Sequence, residues 1–342
     1  MQLPDPLREG LAAELASTSP RDLSAASQAL SQTYRSPHGG TQGAAVAGPL
    51  QARAYAAYRM PATIAALAAA FREVRDRLPG WVPRSLLDVG TGPGSAAWAA
   101  VEMWPGLERI VFLEREPAMI ELGRALATRS PSAALRQAEW RREDITGAWD
   151  ATRADLAVTG YVLGELAPDT RARLVRRLWE CTDGASVIVE PGTPRGYADV
   201  VVAGEVLAAL GARIIAPVPL SWPCLEHEHD WLHFSHRVSR SRLHRTAKDA
   251  SLSFEDEKYS YVAAARLDSR PIAARVVRQP QIRSGHVRLT LCTKEGIRHL
   301  VVSRRQKDAY RRTKDLRWGS AIEEDEAHLF DLDATHPSKF AP

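Results

Sequence analysis

The spacing of apolar residues changes twice along this chain, and each change predicts a different kind of structure. Residues 7–35 carry Ala and Leu at helical intervals, with Ser19 and Asp22 placed as caps. The run 36–43, Ser-Pro-His-Gly-Gly-Thr-Gln-Gly, is a loop by composition, and 54–78 is again helical, interrupted at Pro61. From Ser85 short apolar runs alternate with helical stretches. Extended segments are expected over 85–89, 109–113, 133–138, 154–159, 185–190 and 213–216. Helices are expected over 95–104, 117–130, 169–182 and 197–211. Strand–helix alternation of this kind implies right-handed crossovers and a largely parallel sheet covered on both faces, a doubly wound α/β fold.

Beyond residue 217 the alternation stops. Residues 217–230 are rich in Pro, His and Trp, 239–250 is basic and helical in pattern, and 259–266 and 274–277 read as extended. The runs 286–292 and 297–303 predict a hairpin around Lys294-Glu295-Gly296, and 307–318 a closing basic helix. The expected organisation is therefore a helical region over 1–80 and an α/β domain over 81–216. An insertion with a basic α+β extension follows over 217–320, then a flexible tail over 321–342.

At 45% hydrophobic and 25% charged residues, the composition is that of a folded protein and excludes a disordered or fibrous chain. No apolar run approaches the roughly 18 residues needed to cross a bilayer. The first residues, Met-Gln-Leu-Pro-Asp-Pro, lack a basic start followed by an apolar core, so no secretory signal is read. Three cysteines are too few for a disulfide framework, and the expected compartment is the reducing cytoplasm. The net charge of +4 conceals an asymmetry: residues 275–317 hold 13 Lys and Arg against three acids, Glu295, Asp308 and Asp315. Such a stretch is either a solvated Arg-rich face or a surface for a polyanion.

The candidate chemistry centres on Leu86-Leu87-Asp88-Val89-Gly90-Thr91-Gly92-Pro93-Gly94. Glycines here allow a sharp strand-to-helix turn and a close approach of backbone to ligand. Glu114 closes the next strand twenty residues after Gly94, where a carboxylate can accept from both ribose hydroxyls of a nucleoside. The G-x-G-x-G spacing differs from the dinucleotide fingerprint, whose third glycine would stand at Ser95. With Asp88 two residues ahead of the first glycine, the motif resembles the first motif of class I S-adenosylmethionine (SAM) dependent methyltransferases. That resemblance implies that Gly90, Gly92 and Gly94 line the methionine and ribose portions of SAM and that Glu114 holds the ribose. Asp144, with Glu143 beside it, falls where the family places an acid near the adenine amine.

Six further segments occur in an order that resembles the methyltransferase-like family associated with the small ribosomal subunit of mitochondria and many bacteria. They are Tyr58-Arg59-Met60-Pro61-Ala62-Thr63, Tyr161-Val162-Leu163-Gly164-Glu165-Leu166, Val189-Glu190-Pro191-Gly192-Thr193-Pro194, Ser241-Arg242-Leu243-His244-Arg245, Glu255-Asp256-Glu257-Lys258-Tyr259-Ser260-Tyr261-Val262 and Leu316-Arg317-Trp318-Gly319. The resemblance implies a SAM-binding protein serving small-subunit assembly or translation. It also implies four cysteine positions for an iron–sulfur cluster or zinc, at Val218, Cys224, Leu232 and Cys292. Only Cys224 and Cys292 are cysteines here, and two thiolates do not complete a tetrahedral site. His227, His229, His233 and His236 lie nearby in sequence and leave a two-Cys, two-His zinc site as the alternative to an apolar corner. Cys181 reads as a buried thiol.

Two roles stay open for the stretch after the fourth strand: Tyr161 stacks on a base or covers SAM, or packs; Glu165 is a base, or caps the next helix. Arg237, Arg240, Arg242 and Arg245 are candidate RNA-phosphate contacts, with Trp222, Trp231 and Phe234 as stacking or core residues. Three functions follow: a SAM-binding assembly factor touching small-subunit rRNA, with methyl transfer to the rRNA open; a diverged small-molecule methyltransferase; and a non-catalytic RNA-binding protein.

Overall fold

The computed structural model describes residues 2–35, 48–150, 152–239 and 254–332. Four helices come first: α1 (Asp5–Leu15), α2 (Pro20–Arg35), α3 (Pro49–Tyr58) and α4 (Met60–Arg77). Ser19 caps α2, its hydroxyl accepting from the Asp22 amide at 3.1 Å. The break between α3 and α4 falls at Arg59, and Pro61 sits in the first turn of α4, where its missing N–H removes no helical bond.

The alternating region then runs β1 (Ser85–Val89), α5 (Ser95–Met103), β2 (Arg109–Glu114), α6 (Pro117–Ala127), α7 (Ala133–Arg136), β3 (Glu139–Arg142), β4 (Ala154–Gly160), α8 (Pro168–Glu180), β5 (Thr182–Pro191), α9 (Pro194–Ala209) and β6 (Arg213–Ala216). After it come β7 (Phe234–Ser239), β8 (Phe254–Ala265), β9 (Ile272–Val276), β10 (Gln281–Arg283), β11 (His286–Thr293), β12 (Gly296–Ser303), α10 (Lys307–Thr313) and β13 (Ala321–Glu323).

The main sheet has the order β3-β2-β1-β4-β5-β8-β6, with β7 also paired to β8. Pairings from β3 through β5 are parallel, and β8 alone runs against β5, β6 and β7. This is a doubly wound arrangement, with the order reversing between β1 and β4. In such sheets the ligand crevice lies at the carboxyl ends of the strands where the order reverses. Side chains alternate across the sheet as the pleat requires. Leu86, Phe112, Leu156 and Val187 join α4, α5 and α6 in one core, while Leu87, Leu113, Ala157 and Ile188 join α8 and α9 in the other.

Three expectations need correction. Residues 133–138 are not the third strand: the Ser132 hydroxyl accepts from the Leu135 amide and starts the helical turn α7, and β3 begins at Glu139. The α/β sheet does not close at 216, because β8 comes from beyond it. Residues 321–332 are not a loose tail. Ile322 and Phe330 are buried in a third core with Val276, Leu289, Leu291 and Val302, so an apolar anchor holds the segment down. Of the expected helix over 239–250, Ser239 ends β7 and residues 240–250 lie outside the described residues, as do 333–342.

β9–β13 form a second, five-stranded sheet that contains the expected β11–β12 hairpin, with β11 also paired to β9 and β10. Two buried arginines fasten it to α4. Arg275 pairs with Glu73 and donates to the carbonyls of Pro217 (2.8 Å) and Gly319 (2.7 Å). Arg77 pairs with Glu323 and reaches the Arg270 carbonyl at 3.2 Å.

Candidate functional site

β1 delivers the glycine loop to the carboxyl edge of the main sheet. Gly90, Gly92 and Gly94 stand at φ +72°, +56° and +89°, conformations open to glycine and strained for other residues. The Gly90 and Thr91 amides donate to the Leu113 carbonyl at 2.9 and 3.3 Å, so the turn is pinned to the end of β2. A side chain at Gly92 would meet nothing closer than the Tyr55 ring at 3.9 Å; the loop leaves open space beside it, beneath α3.

Glu114 meets this loop through its carboxylate. Its Oε2 accepts from the Gly92 amide at 2.8 Å, and its Oε1 accepts from the amides of Arg115 and Glu116 at 2.9 Å each. Burial raises its pKa, and those three backbone donors oppose the rise. One acceptor position on Oε2 stays open for a hydroxyl. Asp88 lies deeper and accepts from the Thr91 hydroxyl. Burial pushes its pKa up to about 7, with Thr91 pulling the other way and the charge of Glu114 adding to the rise. Asp88 therefore holds the loop from below, whereas Glu114 presents at its rim.

One residue beyond Glu114 a separate cleft opens between the start of α6 and the end of β3, lined by Arg115, Glu116, Pro117, Arg142, Glu143 and Asp144. Asp144 is held ionised, its pKa lowered by the Thr146 amide and hydroxyl, which donate to Oδ1 at 2.9 and 2.7 Å. The donors present have the chemistry that SAM needs: a glycine loop open to a ligand, a carboxylate bound to that loop, and an ionised acid in the neighbouring cleft.

On the opposite side of the loop the structure gathers residues that sequence spacing did not connect. Tyr161 follows β4 in a left-handed conformation at φ +62°, which costs energy for a residue with a Cβ. Two bonds hold it there. Its amide donates to the Val189 carbonyl at 2.7 Å, and its hydroxyl donates to Glu257 of β8 at 2.9 Å. Arg59, from the α3–α4 break, pairs with the same Glu257 oxygen at 3.2 Å and lies 5.5 Å over the Tyr161 ring. Arg59 and Glu257 each stood inside a recognised motif, yet 198 residues separate them and neither pattern signals the other. Glu165 closes the 3-10 turn Leu163–Glu165, and after burial its charge is among the influences raising the Tyr55 phenol. Glu190 supports the turn from beneath, its Oε1 accepting from the amides of Val162 (3.0 Å) and Leu163 (2.8 Å).

The four positions of the implied metal centre also come together, but as an apolar corner. Val218, Cys224, Leu232 and Cys292 are 7%, 6%, 5% and 0% exposed and belong to one hydrophobic core. Cys224 and Cys292, expected as two candidate metal ligands in a chain with too few cysteines for a disulfide framework, are joined as a disulfide with Cα atoms 5.1 Å apart. The nearby histidines do not replace the lost ligands. His233 stacks on Trp231 and its Nδ1 contacts the Trp231 carbonyl at 3.2 Å, while His227 and His229 are exposed. Among the described residues no group of three or more His, Cys, Asp and Glu is arranged to hold a metal ion. Two hydrocarbon side chains and two mutually bonded sulfurs do not fit a four-thiolate iron–sulfur or zinc centre.

Of the candidate RNA contacts, Arg237 is bound to Asp256 at 2.8 Å and lies 4.0 Å over the Phe254 ring. Arg240, Arg242 and Arg245 lie outside the described residues. Phe234 is core, packed on Tyr259 and Tyr261, and the Trp231 indole donates to the Gly192 carbonyl at 2.9 Å, so both serve packing here. Among the described residues no helix is long and apolar enough to cross a membrane.

The chain is 30% identical over 288 residues to the human mitochondrial ribosome assembly protein METTL17, covering 78% of this chain and 61% of that protein. It is 30% identical over 157 residues to trans-aconitate 2-methyltransferase of Azoarcus sp. (strain BH72), covering 44% of this chain and 57% of that one. The chain thus spans about six tenths of the length of the curated relatives it matches. Among solved structures, it overlaps a putative RNA methyltransferase, PH1948 from Pyrococcus horikoshii, at a TM-score of 0.38 and 10% identity, over 72% of this chain and 96% of that one. Residues 49–323 match the family described as mitochondrial small ribosomal subunit Rsm22, and to that family this chain belongs.

Proposed function

We propose that this protein binds SAM in the glycine cradle and serves assembly or translation of the small ribosomal subunit, contacting its rRNA. The observation that carries the SAM half is the bond from the Gly92 amide to Glu114, which fixes an open loop and a carboxylate on one rim. Gly90, Gly92 and Gly94 let the backbone approach the ligand, Glu114 accepts from ribose, Asp144 lies toward the adenine end, and Tyr161 covers the reactive end. When bound, SAM supplies an electrophilic methyl group on a sulfonium centre. Family membership and the human relative's name support the ribosomal half. The place of action in this reading is the cytoplasm; the human relative is mitochondrial by name.

Transfer of the methyl group to many acceptors needs a base at the mouth of the site. Here one oxygen of Glu257 accepts from the Tyr161 hydroxyl and also pairs with Arg59. Glu257 is thus committed to positioning Tyr161 and Arg59, which leaves Glu165 as the candidate base, and SAM is taken here as a bound ligand first. The test is co-sedimentation with purified small subunits at moderate salt in the presence of tritiated SAM. The protein is expected in the subunit fraction with label that washes out under denaturing conditions. Label fixed to rRNA or protein would establish methyl transfer instead. A chain that stays at the top of the gradient would remove the ribosomal half, and label fixed to a small-molecule pool would favour a diverged metabolic enzyme.

A further inference from the structure

The structure divides the basic stretch 275–317 into two populations. One is spent on the fold: Arg275 is buried against Glu73, Arg278 pairs with Asp230, Arg311 with Asp308 and Arg312 with Glu326. Arg298 donates to the Asp331 carbonyl at 3.2 Å, and Lys314 lies over the Tyr310 ring. The other population includes Arg283, Arg288, Arg304, Arg305 and Lys307, all exposed and without an acidic partner among the described residues.

These five lie at one end of the second sheet. Arg283 stands opposite His286, which stands opposite Ser303 on the next strand. Arg288 is two residues beyond His286 and so shares its face. The Arg304 amide donates to the Gly285 carbonyl at 3.0 Å, which brings the turn carrying Arg304, Arg305 and Lys307 against the β10–β11 turn. Acids gather at the opposite edge, on β13 and the turn after it, where Glu323, Asp325 and Glu326 are engaged by Arg77, Arg270 and Arg312. The sheet is therefore polarised: these acids are neutralised by cations of the fold, and five cations without an acidic partner crowd the other end, while Lys294 sits at the far turn of the β11–β12 hairpin.

We infer that the end of the second sheet formed by Arg283, Arg288, Arg304, Arg305 and Lys307 docks on the phosphate backbone of RNA. Four of the five are arginines, whose planar fork matches a phosphate in two parallel hydrogen bonds. No Phe, Tyr or Trp occurs between residues 272 and 303, so this sheet offers no platform for base stacking and no aromatic anchor for a bilayer. Recognition is then by charge, indifferent to base sequence and steeply dependent on salt. The surface is distinct from Arg237, whose charge is engaged by Asp256. The choice of RNA over other polyanions rests on the ribosomal reading above, whereas the site itself is independent of the SAM cleft.

The test is fluorescence anisotropy of the full chain with a labelled small-subunit rRNA fragment and with oligo(U) of equal length, across a salt series. The charge reversal R283E/R288E/R305E is expected to weaken both RNAs at least about tenfold and to lower the salt slope by about 2, near 0.7 per lost contact on a single strand. A reversal of equal charge at exposed positions elsewhere, R21E/R72E/R176E, is expected to change affinity by less than about threefold, the effect of net charge alone. Equal losses from the two variants, or an unchanged slope in the first, would overturn the inference. So would binding to phosphatidylserine vesicles with none to RNA. A calorimetric SAM titration of the first variant separates the claims: SAM binding should persist there, and a wild type that binds RNA but not SAM would fail only the SAM reading.

Discussion

The glycine cradle and the corner formed by Val218, Cys224, Leu232 and Cys292 are both implied by one family resemblance, and they have diverged in opposite directions. At the cradle the groups that our proposal assigns to SAM are present and held. Backbone amides fix Glu114, Thr91 holds Asp88, and the three loop glycines occupy left-handed positions. At the corner the backbone still brings four positions together, but half the donors are hydrocarbon and the two sulfurs satisfy each other. Burial of apolar surface is enough to hold the four positions of this corner together without a metal. Function must be read from the donors present and not from the place they occupy.

The sharpest way to break this comparison is to restore the donors. V218C/L232C places four cysteines in the corner, and under reducing anaerobic conditions the variant is expected to take up zinc or iron while the wild type takes up neither. Metal content by elemental analysis decides it. A variant that stays metal-free would mean that the corner no longer has ligand geometry, and a metallated wild type would mean that the disulfide does not represent the native corner.

The next effect concerns what holds the corner in place. Arg275 is fully buried and spans Glu73, the Pro217 carbonyl at the mouth of the insertion and the Gly319 carbonyl. Arg275→Ala leaves a carboxylate and two carbonyls without their donor and is expected to cost about 3–5 kcal/mol in urea unfolding. Arg275→Met, which fills the space without the charge, should lose as much if the unpaired Glu73 carries the penalty. A loss under about 1 kcal/mol for the alanine variant would show that the second sheet is held by its apolar contacts alone.

A smaller effect separates Asp88 from Glu114 within the cradle. The Asp88 carboxyl, pushed up to about 7, keeps its proton in the folded chain over a range where the unfolded chain has lost it. Its contribution to stability is therefore full below pH 4 and is lost as pH rises toward 7. In Asp88→Asn the pH dependence of unfolding between those limits should flatten, by at most about 1.4 kcal/mol per pH unit. An unchanged slope would assign the dependence to other groups, Glu190 first among them, since burial pushes its carboxyl up to about 8.

The sequence made the cradle legible because its signals are local: an apolar run, glycines at fixed spacing and an acid at the end of the next strand. β1 has the predicted bounds, and the hairpin of β11 and β12 was visible from its alternation. Residues 133–138 misled because four apolar residues in a run of six do not reveal whether a serine ahead of them will cap a helical turn. The true third strand, Glu-Trp-Arg-Arg, has one apolar side chain, Trp140, which packs against Phe112. The cluster of Arg59, Tyr161 and Glu257 was out of reach because a pairing across 198 residues exists only once β8 has entered the sheet. The basic stretch showed its charge but not its division, since which arginines are engaged depends on acids as distant as Glu73.

The central claim is that the cradle binds SAM, and calorimetric titration of SAM into the wild type and Gly92→Arg measures it directly. The wild type should bind one SAM per chain. Gly92→Arg, which fills the open space beside the loop and strains a backbone at φ +56°, should bind at least about a hundredfold more weakly while unfolding as cooperatively as the wild type. A wild type that gives no binding heat at millimolar SAM, or a variant that binds as well as the wild type, would contradict the account.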